Sequence, residues 1–156
     1  DENLLTNEDY EFNVRIRKNN GRVWFDPQIR SVYFARGSLC SLAKQYWRYG
    51  YWKLRMLRRY PETLRWRQAL PPIFVLGLVG LLLLALFWLA ALWVFAAVIL
   101  VYITALLAVS FPAAFRMRDY RMLAGIPAAI VVMHLSWGSG FLWSVLQGQK
   151  RTDKFA

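Results

Sequence analysis

Two short polar groups in this sequence have the residue types and the spacing that chemistry requires. The first is the acidic cluster Glu8, Asp9 and Glu11 in "NEDYE". A carboxylate of this kind is suited to act as a general base, which takes the proton from an attacking hydroxyl group. The same residues at the start of a helix would also stabilise its dipole, by about 0.3–1 kcal/mol each. Charge alone leaves both interpretations open.

The second group is "QYWRYG", which contains Gln45, Arg48 and Tyr49. Gln45 and Arg48 are three residues apart, so on a helix both side chains point toward the same place. The arginine offers a planar fork of donors that suits a phosphate, and the glutamine offers a neutral donor and acceptor. The alternative is a membrane-surface helix with ordinary polar positions.

The segment around the acidic cluster, residues 1–37, is polar and mixed in charge. Thr6 and the residues after it offer N-cap chemistry for a helix over "YEFNVRIRK", and "NNG" predicts its end, with Gly21 at a positive φ. The stretches "RVWFDP" and "IRSVYFA" are rich in β-branched and aromatic residues, which predicts two short strands. A helix with two short strands is too small for an independent core, so we expect a partner sheet outside this sequence.

Residues 38–68 are basic and aromatic, and their periodicity predicts an amphipathic helix. Gly50 permits a bend in this helix, and Pro61 should end it. The apolar face comprises Leu39, Leu42, Tyr46, Tyr49 and Leu57, the basic face comprises Lys44, Arg48, Arg55 and Arg59, and the tryptophans are Trp47, Trp52 and Trp66. This pattern is typical of a helix that lies flat in a membrane surface. A solvated charged face is the alternative interpretation.

The remaining residues, 69–149, are mostly apolar, and no charged residue occurs between Arg67 and Arg116. That run is about twice the ~20 residues that one membrane-spanning helix needs, so it should hold two helices joined by a tight turn. A second uncharged run predicts a third spanning helix. We place the three helices near 71–89, 92–113 and 122–145, followed by a basic tail at 150–156.

Basic residues indicate how these helices are oriented. The segments 44–67 and 116–121 are both basic, and a two-helix hairpin puts them on one side, which the positive-inside rule makes cytoplasmic. Residues 1–68 should therefore be cytoplasmic. A third crossing puts the basic tail outside, against the rule, whereas a bend at Pro127 or Gly138 would return it. We expect the crossing.

The net charge of +11 is compatible with nucleic acid or an anionic membrane as partner. The long apolar runs favour the lipid bilayer, and we expect no nucleic-acid partner. Cys40 is the single cysteine, which excludes an intrachain disulfide, and we expect it to be a small, at least partly buried residue. His134 is the single histidine and lies in an apolar run, where a hydrogen-bonded packing role competes with a proton-relay or ligand role.

Taken together, these stretches resemble one family. An aspartate in "NEDYE", then "G-x-x-x-F-D-P", then "Q-x-x-R-[aromatic]-G" before a membrane span is similar to the C-terminal part of membrane-bound family 2 glycosyltransferases. The exopolysaccharide branch, which is ExoA-like and cellulose-synthase-like, is the most similar. The resemblance covers residues 1 to about 68 well and continues into "MHLSWGSGFLW". The chain begins "DENLL" without an initiator Met or signal peptide, so we expect it to be part of a longer protein.

The resemblance implies a role for each site residue. Asp9 would be the general base of an inverting transfer, and Glu8 would support it. Gln45, Arg48 and Tyr49 would match the family's Q-x-x-R-W motif, which helps to hold the acceptor or the donor diphosphate. Tyr49 stands where the family usually has Trp, which keeps an aromatic face for a sugar but weakens the expectation of a processive polymerase.

The resemblance also implies what lies elsewhere. The family's nucleotide-sugar site and its D-x-D motif, which holds Mg²⁺ or Mn²⁺, would precede residue 1, and the chain contains no D-x-D. We therefore expect no metal or cofactor within these residues, and no activity from them alone. The predicted fold class is an α-helical membrane protein of about three transmembrane helices, with an interface helix at 38–68 and a small α+β remnant of a glycosyltransferase-A domain at 1–37.

The predicted function is transfer of a sugar from a nucleotide-sugar to a lipid-linked or polysaccharide acceptor, in a bacterial plasma membrane. The partners are then the lipid bilayer and the missing N-terminal catalytic half. The alternative is a non-catalytic structural or accessory subunit of a larger membrane complex. Sugar, linkage and oligomeric state are not indicated by the sequence.

Overall fold

A computed structural model describes residues 6, 8–63 and 65–148 of the protein. Within these ranges the secondary structure is helical. The α-helices are α1 (Glu8–Lys18), α2 (Leu39–Arg59), α3 (Trp66–Ala85), α4 (Leu89–Met117) and α5 (Met122–Leu146), and a short 3₁₀ helix spans Pro61–Thr63. The predictions for the tail at 150–156 fall outside the described residues.

The α+β part of the predicted fold class is wrong, because the described residues contain no strand. Residues 22–27 and 29–35, where two strands were predicted, belong to an irregular segment, 22–36, with a turn in which Asp26 Oδ1 accepts from the backbone N–H of Gln28 at 2.9 Å. Aromatic and β-branched residues favour strands only where a neighbouring strand half-buries them. Here Trp24 is 89% exposed and Phe34 is 86% exposed. The sequence carries the strand composition, but no described segment supplies the pairing partner.

The prediction of an α-helical membrane protein is confirmed, since α3, α4 and α5 are long and apolar enough to cross a bilayer. They contain 20, 29 and 25 residues. At about 1.5 Å per residue each reaches or exceeds the ~30 Å hydrocarbon thickness. Their bounds differ by a few residues from the predicted ones, and α5 continues through Pro127 as one helix.

Helix α5 is the centre of the packing, because it contacts α2, α3 and α4. Glycines permit its closest approaches. A Cβ atom at Gly138 would lie 2.5 Å from the carbonyl oxygen of Pro71 in α3, and one at Gly140 would overlap the carbonyl of Trp47 in α2. Small residues of this kind let helix backbones come close enough for extensive van der Waals contact. Helix α2 is thereby held against a membrane-spanning helix, and its predicted place in the membrane surface stays a prediction.

Helix α1 begins and ends close to the predicted positions, with one correction at its C-terminal turn. Asn20, not Gly21, has the positive φ, at 59°. Asparagine tolerates this left-handed conformation because its short polar side chain bonds locally. The amide of Gly21 then donates to the carbonyl of Ile16 at 2.8 Å, which closes the turn.

Candidate functional site

A polar pocket of about 370 Å³ lies where the irregular segment 22–36 meets the first turns of α2. Its lining comprises Thr6, Arg36, Ser41, Lys44, Gln45, Arg48 and Tyr49. Helix α2 supplies five of these side chains at steps of three or four residues, which places them along one face. The start of α2 is fixed by Ser38, whose side chain accepts from the backbone N–H of Ser41 at 3.2 Å, as an N-cap does.

A chain of hydrogen bonds orients the middle of this pocket. Arg36 Nε donates to Gln45 Oε1 at 3.0 Å, and Gln45 Nε2 donates to the hydroxyl of Tyr49 at 2.6 Å. Gln45 therefore presents its amide in one orientation, since both of its ends are engaged. Arg48 reaches across the pocket and donates from Nη2 to Thr6 Oγ1 at 3.4 Å.

The pocket has three cationic side chains, those of Arg36, Lys44 and Arg48, and all three are exposed. No carboxylate of the described residues forms an ion pair with any of these three cations, whereas Arg15 does pair with Glu11. Cations gathered around a polar concavity favour an anion of several oxygens, and the arginine forks suit phosphate geometry. The arrangement can hold a phosphate or diphosphate beside the neutral polar groups of Gln45 and Tyr49.

The structure brings together the predicted binding residues Gln45, Arg48 and Tyr49, but it does not bring the predicted acids to the same pocket. Glu8 and Asp9 are exposed in the first turn of α1. Asp9 Oδ1 accepts from the neighbouring backbone N–H of Tyr10 at 2.8 Å. The catalytic roles assigned to Asp9 and Glu8 therefore stay predictions.

The third acid of the cluster, Glu11, has a structural position. It is 1% exposed, and its Oε1 accepts from Arg15 Nε at 2.9 Å and from the Tyr60 hydroxyl at 3.0 Å. Tyr10 donates to the Thr63 carbonyl at 3.5 Å beside it. These contacts fasten α1 to the end of α2, so one acid of the cluster serves packing.

Sequence reasoning missed Arg36 as a pocket residue. It directly follows the second predicted strand, and nothing in its own spacing relates it to Gln45. Lys44 was recognised only as part of the basic face of α2, although its spacing of four from Arg48 was a usable signal. The prediction for Cys40 is wrong, because its side chain is exposed near the start of α2.

Two further groups bear on cofactors. Among the described residues there is no group of three or more His, Cys, Asp and Glu side chains that could hold a metal ion. The divalent metal that the resemblance implies therefore stays a prediction. His134 Nδ1 lies 2.9 Å from the hydroxyl of Tyr102, whose ring packs on Phe74 with centroids 4.8 Å apart. This hydrogen bond ties α4 to α5 and satisfies the histidine, as the packing interpretation requires.

Comparison with known proteins shows similarity over nearly the whole chain. It is 31% identical over 152 residues to the succinoglycan biosynthesis protein ExoA of Rhizobium meliloti (strain 1021). The aligned region covers 97% of this chain and 44% of that protein. It is also 26% identical over 148 residues to a dolichyl N-acetyl-α-D-glucosaminyl phosphate 3-β-D-2,3-diacetamido-2,3-dideoxy-β-D-glucuronosyltransferase of Methanococcus voltae. That alignment covers 95% of this chain and 42% of the relative.

The chain thus spans less than half the length of these two relatives. No protein-family model matches it, and no solved structure matches it. The relationship that the "NEDYE" and "QYWRYG" stretches predicted is confirmed by these relatives. Over at least 95% of its length the chain is related in sequence to glycosyltransferases of the family 2 kind.

Proposed function

We propose that this chain is the acceptor-side and membrane portion of an inverting glycosyltransferase, which moves a sugar from a nucleotide-sugar to a lipid-linked or polysaccharide acceptor. The observation that carries the proposal is the pocket in which Arg36, Lys44 and Arg48 lie beside Gln45 and Tyr49. The names of the relatives support it, since one acts in succinoglycan biosynthesis and the other is a glucuronosyltransferase that uses a dolichyl sugar phosphate.

The chain contains the residue types that such a transfer needs. The acceptor hydroxyl forms a bond to the anomeric carbon as the bond to the nucleoside diphosphate breaks, and a carboxylate takes the hydroxyl proton. We assign that carboxylate to Asp9, with Glu8 in support. Fixed cations stabilise the negative charge that develops on the leaving diphosphate. They can equally bind the phosphate group of a lipid-linked acceptor. Arg48 and its two cationic neighbours meet that need.

The donor-binding half and its divalent metal belong, in this proposal, to a part of the parent protein outside these residues. The membrane placement follows from the basic segments. Residues 44–67 and 116–121 flank the α3–α4 hairpin on one side, and the positive-inside rule supports our assignment of that side to the cytoplasm. We assign the membrane, as part of the same proposal, to the bacterial plasma membrane.

The test is transfer by the full-length protein in native membranes, measured with a radiolabelled nucleotide-sugar and lipid-extracted product. Asp9→Asn should lower the rate by about a hundredfold or more, the usual contribution of a general base. Arg48→Gln should lower it by roughly tenfold to a hundredfold, as expected for loss of a charged hydrogen bond. The matched controls Asp119→Asn and Arg67→Gln lie outside the pocket lining and the quoted motifs, and they should leave it unchanged.

Full transfer by Asp9→Asn would show that Asp9 is not the general base. Retention of full transfer by both Asp9→Asn and Arg48→Gln would overturn the proposed function and favour the second candidate, a non-catalytic accessory subunit. One observation favours that candidate. The aromatic side chains of Trp24, Phe25 and Phe34 are more than 80% exposed on the irregular segment 22–36, which suits burial against another protein.

A further inference from the structure

A second concavity shares Lys44 and Arg48 with the cationic pocket. Its volume is about 430 Å³, and it is lined by Ala43, Lys44, Trp47, Arg48 and Ser136. The first four residues belong to α2, whereas Ser136 belongs to the membrane-spanning helix α5. The walls of this groove are almost wholly apolar, in contrast to the cationic pocket. Two cationic side chains therefore line both a polar concavity and an apolar one.

We propose that the pocket and the groove form one bipartite site for a lipid phosphate. The phosphate lies at Lys44 and Arg48, and the hydrocarbon chain lies in the groove between α2 and α5. This inference rests on the proposed function, because it selects the lipid-linked acceptor from the two acceptor classes and locates it. It assigns a binding role to Lys44, Trp47 and Ser136.

The first argument is the position of the two shared cations. Lys44 and Arg48 are four residues apart on α2 and line both compartments. Long basic side chains commonly cover apolar surface with their methylene stems while the charged heads stay in a polar environment. A phosphate held by the heads is then directly followed by space for an apolar chain. The charge of the site is complementary to an anionic lipid headgroup.

The second argument is what the groove excludes. A sugar or nucleotide in the groove would lose water from its hydroxyl groups and find almost no polar partners there, which is costly. A hydrocarbon chain has no such requirement. The groove also has a firm wall, because Trp47 lines it and the carbonyl of Trp47 lies directly against Gly140 of α5.

The third argument is access from the bilayer. Ser136 lies on α5, which is one of the helices that can cross the membrane. A chain dissolved in the bilayer can therefore follow the surface of α5 to the groove without leaving an apolar environment. A water-soluble phosphate needs only the cationic pocket, so the groove is the feature that separates a lipid from a soluble ligand.

The experiment measures binding by the full-length protein in lipid nanodiscs. The probe is a long-chain polyisoprenyl monophosphate, with inorganic phosphate and the uncharged polyisoprenol of equal length as comparison ligands. Ala43→Trp fills the groove and should weaken lipid-phosphate binding by roughly tenfold or more through steric exclusion, without changing binding of inorganic phosphate. Ala108→Trp, at an exposed position on α4, is the matched control and should change neither. Arg48→Gln should weaken both phosphate ligands.

Photolabelling covers the case in which Ala43→Trp fails to fold. A polyisoprenyl phosphate with a photoreactive group on the isoprene unit next to the phosphate should label peptides of α2 and α5 in the unmodified protein. Labelling of α3 and α4 alone would overturn the inference. Polyisoprenol that binds as tightly as the monophosphate would overturn it as well, as would lipid-phosphate binding that Ala43→Trp leaves intact.

Turnover separates this inference from the proposed function. Ala43→Trp should slow transfer to a long-chain lipid-linked acceptor but not to a short water-soluble analogue. Equal transfer to both acceptors by Ala43→Trp would refute the bipartite site and leave the glycosyltransferase standing. If the unmodified protein transfers no sugar but still binds the lipid phosphate selectively, the proposed function is refuted. The lipid-phosphate site would then still be supported.

Discussion

Gly50 of α2 lies so close to the backbone of Trp137 in α5 that a Cβ atom there would overlap the Trp137 carbonyl oxygen. The contact is reciprocal, since Gly140 of α5 lies in the same way against the carbonyl of Trp47. Two glycines on two helices thus permit one close crossing. This crossing holds the face of α2 that carries Gln45 and Arg48 in a fixed position relative to the membrane helices.

Gly50→Ala should therefore destabilise the protein, although alanine is the better helix former by about 1 kcal/mol. Overpacking in a dense interior typically costs ~1–3 kcal/mol, and here the obstacle is a backbone that cannot rotate away. Thermal unfolding in detergent measures the loss. Gly77→Ala is the matched control, because nothing lies within 4 Å of a Cβ at that position. An unchanged midpoint for Gly50→Ala would show that α2 and α5 separate easily.

Glu11→Gln should loosen α1 from the end of α2. The variant removes the charge that Arg15 pairs with and weakens the hydrogen bond from Tyr60 to a group that is 1% exposed. Hydrogen bonds to charged groups contribute about 1.5–3 kcal/mol. A double-mutant cycle with Tyr60→Phe, read by chemical denaturation, should give a coupling energy of about 1 kcal/mol or more. Additive effects of the two substitutions would contradict the contact.

The acidic cluster illustrates how far the sequence could be interpreted. Glu8, Asp9 and Glu11 are all acidic and lie within four consecutive residues. Charge patterning alone therefore could not distinguish a catalytic acid from one that serves packing. The separation depends on Tyr60, which is 49 residues away in sequence and reaches Glu11 only in the folded chain. Local patterns do predict helix ends and membrane spans, because caps, prolines and long apolar runs act over a few residues.

Residues 22–36 illustrate the opposite case. Their β-branched and aromatic content predicted strands, yet strand formation depends on a pairing partner that composition cannot reveal. Arg36 directly follows the second predicted strand, and its contact with Gln45 joins residues nine apart that no helical or strand periodicity relates. The α2 motif was easier to recognise, because Gln45, Arg48 and Tyr49 lie on one helix and need only its periodicity to meet.

Arg36→Ala should impair the orientation of Gln45 without removing Gln45 itself. Arg36 Nε donates to Gln45 Oε1 at 3.0 Å, so its loss frees one end of the amide. If Gln45 positions the acceptor, KM for the acceptor should rise several-fold, about what a net hydrogen bond contributes, while kcat changes less. Arg36→Lys keeps the positive charge but lacks the fixed donor geometry of arginine, so it should recover only part of the loss seen with Arg36→Ala. A fall in kcat with constant KM would contradict this positioning role.

Tyr102→Phe should weaken the junction of α4 and α5, because it removes the hydroxyl that lies 2.9 Å from His134 Nδ1. Hydrogen bonds between membrane helices contribute about 0.6 kcal/mol on average and up to ~1.7. The measurement is unfolding in mixed micelles, with a cycle that includes His134→Ala. The packing on Phe74 is kept by phenylalanine, so a loss much larger than this range would contradict a simple hydrogen-bond role.

Lys53 should make the stability of the protein depend on pH above neutrality. Its side chain is 5% exposed, and its ammonium lies 4.2 Å from the ring centroid of Tyr10. Burial, and secondarily the charge of Arg65, lower the pKa of Lys53 from 10.5 to about 8. The folded chain therefore holds this proton less tightly than the unfolded chain does.

The sign follows from proton linkage. Below pH 8 both states are protonated, and the folded state bears the full cost of a buried charge. Between pH 8 and 10.5 the folded state loses the proton while the unfolded state keeps it, so this group makes the free energy of unfolding rise with pH. The thermal unfolding midpoint of the unmodified protein should therefore be higher at pH 9.5 than at pH 7.5. Lys53→Met should abolish the increase, whereas Lys44→Met, at an exposed position of the same helix, should keep it. An increase that persists in Lys53→Met would assign the pH dependence to another group.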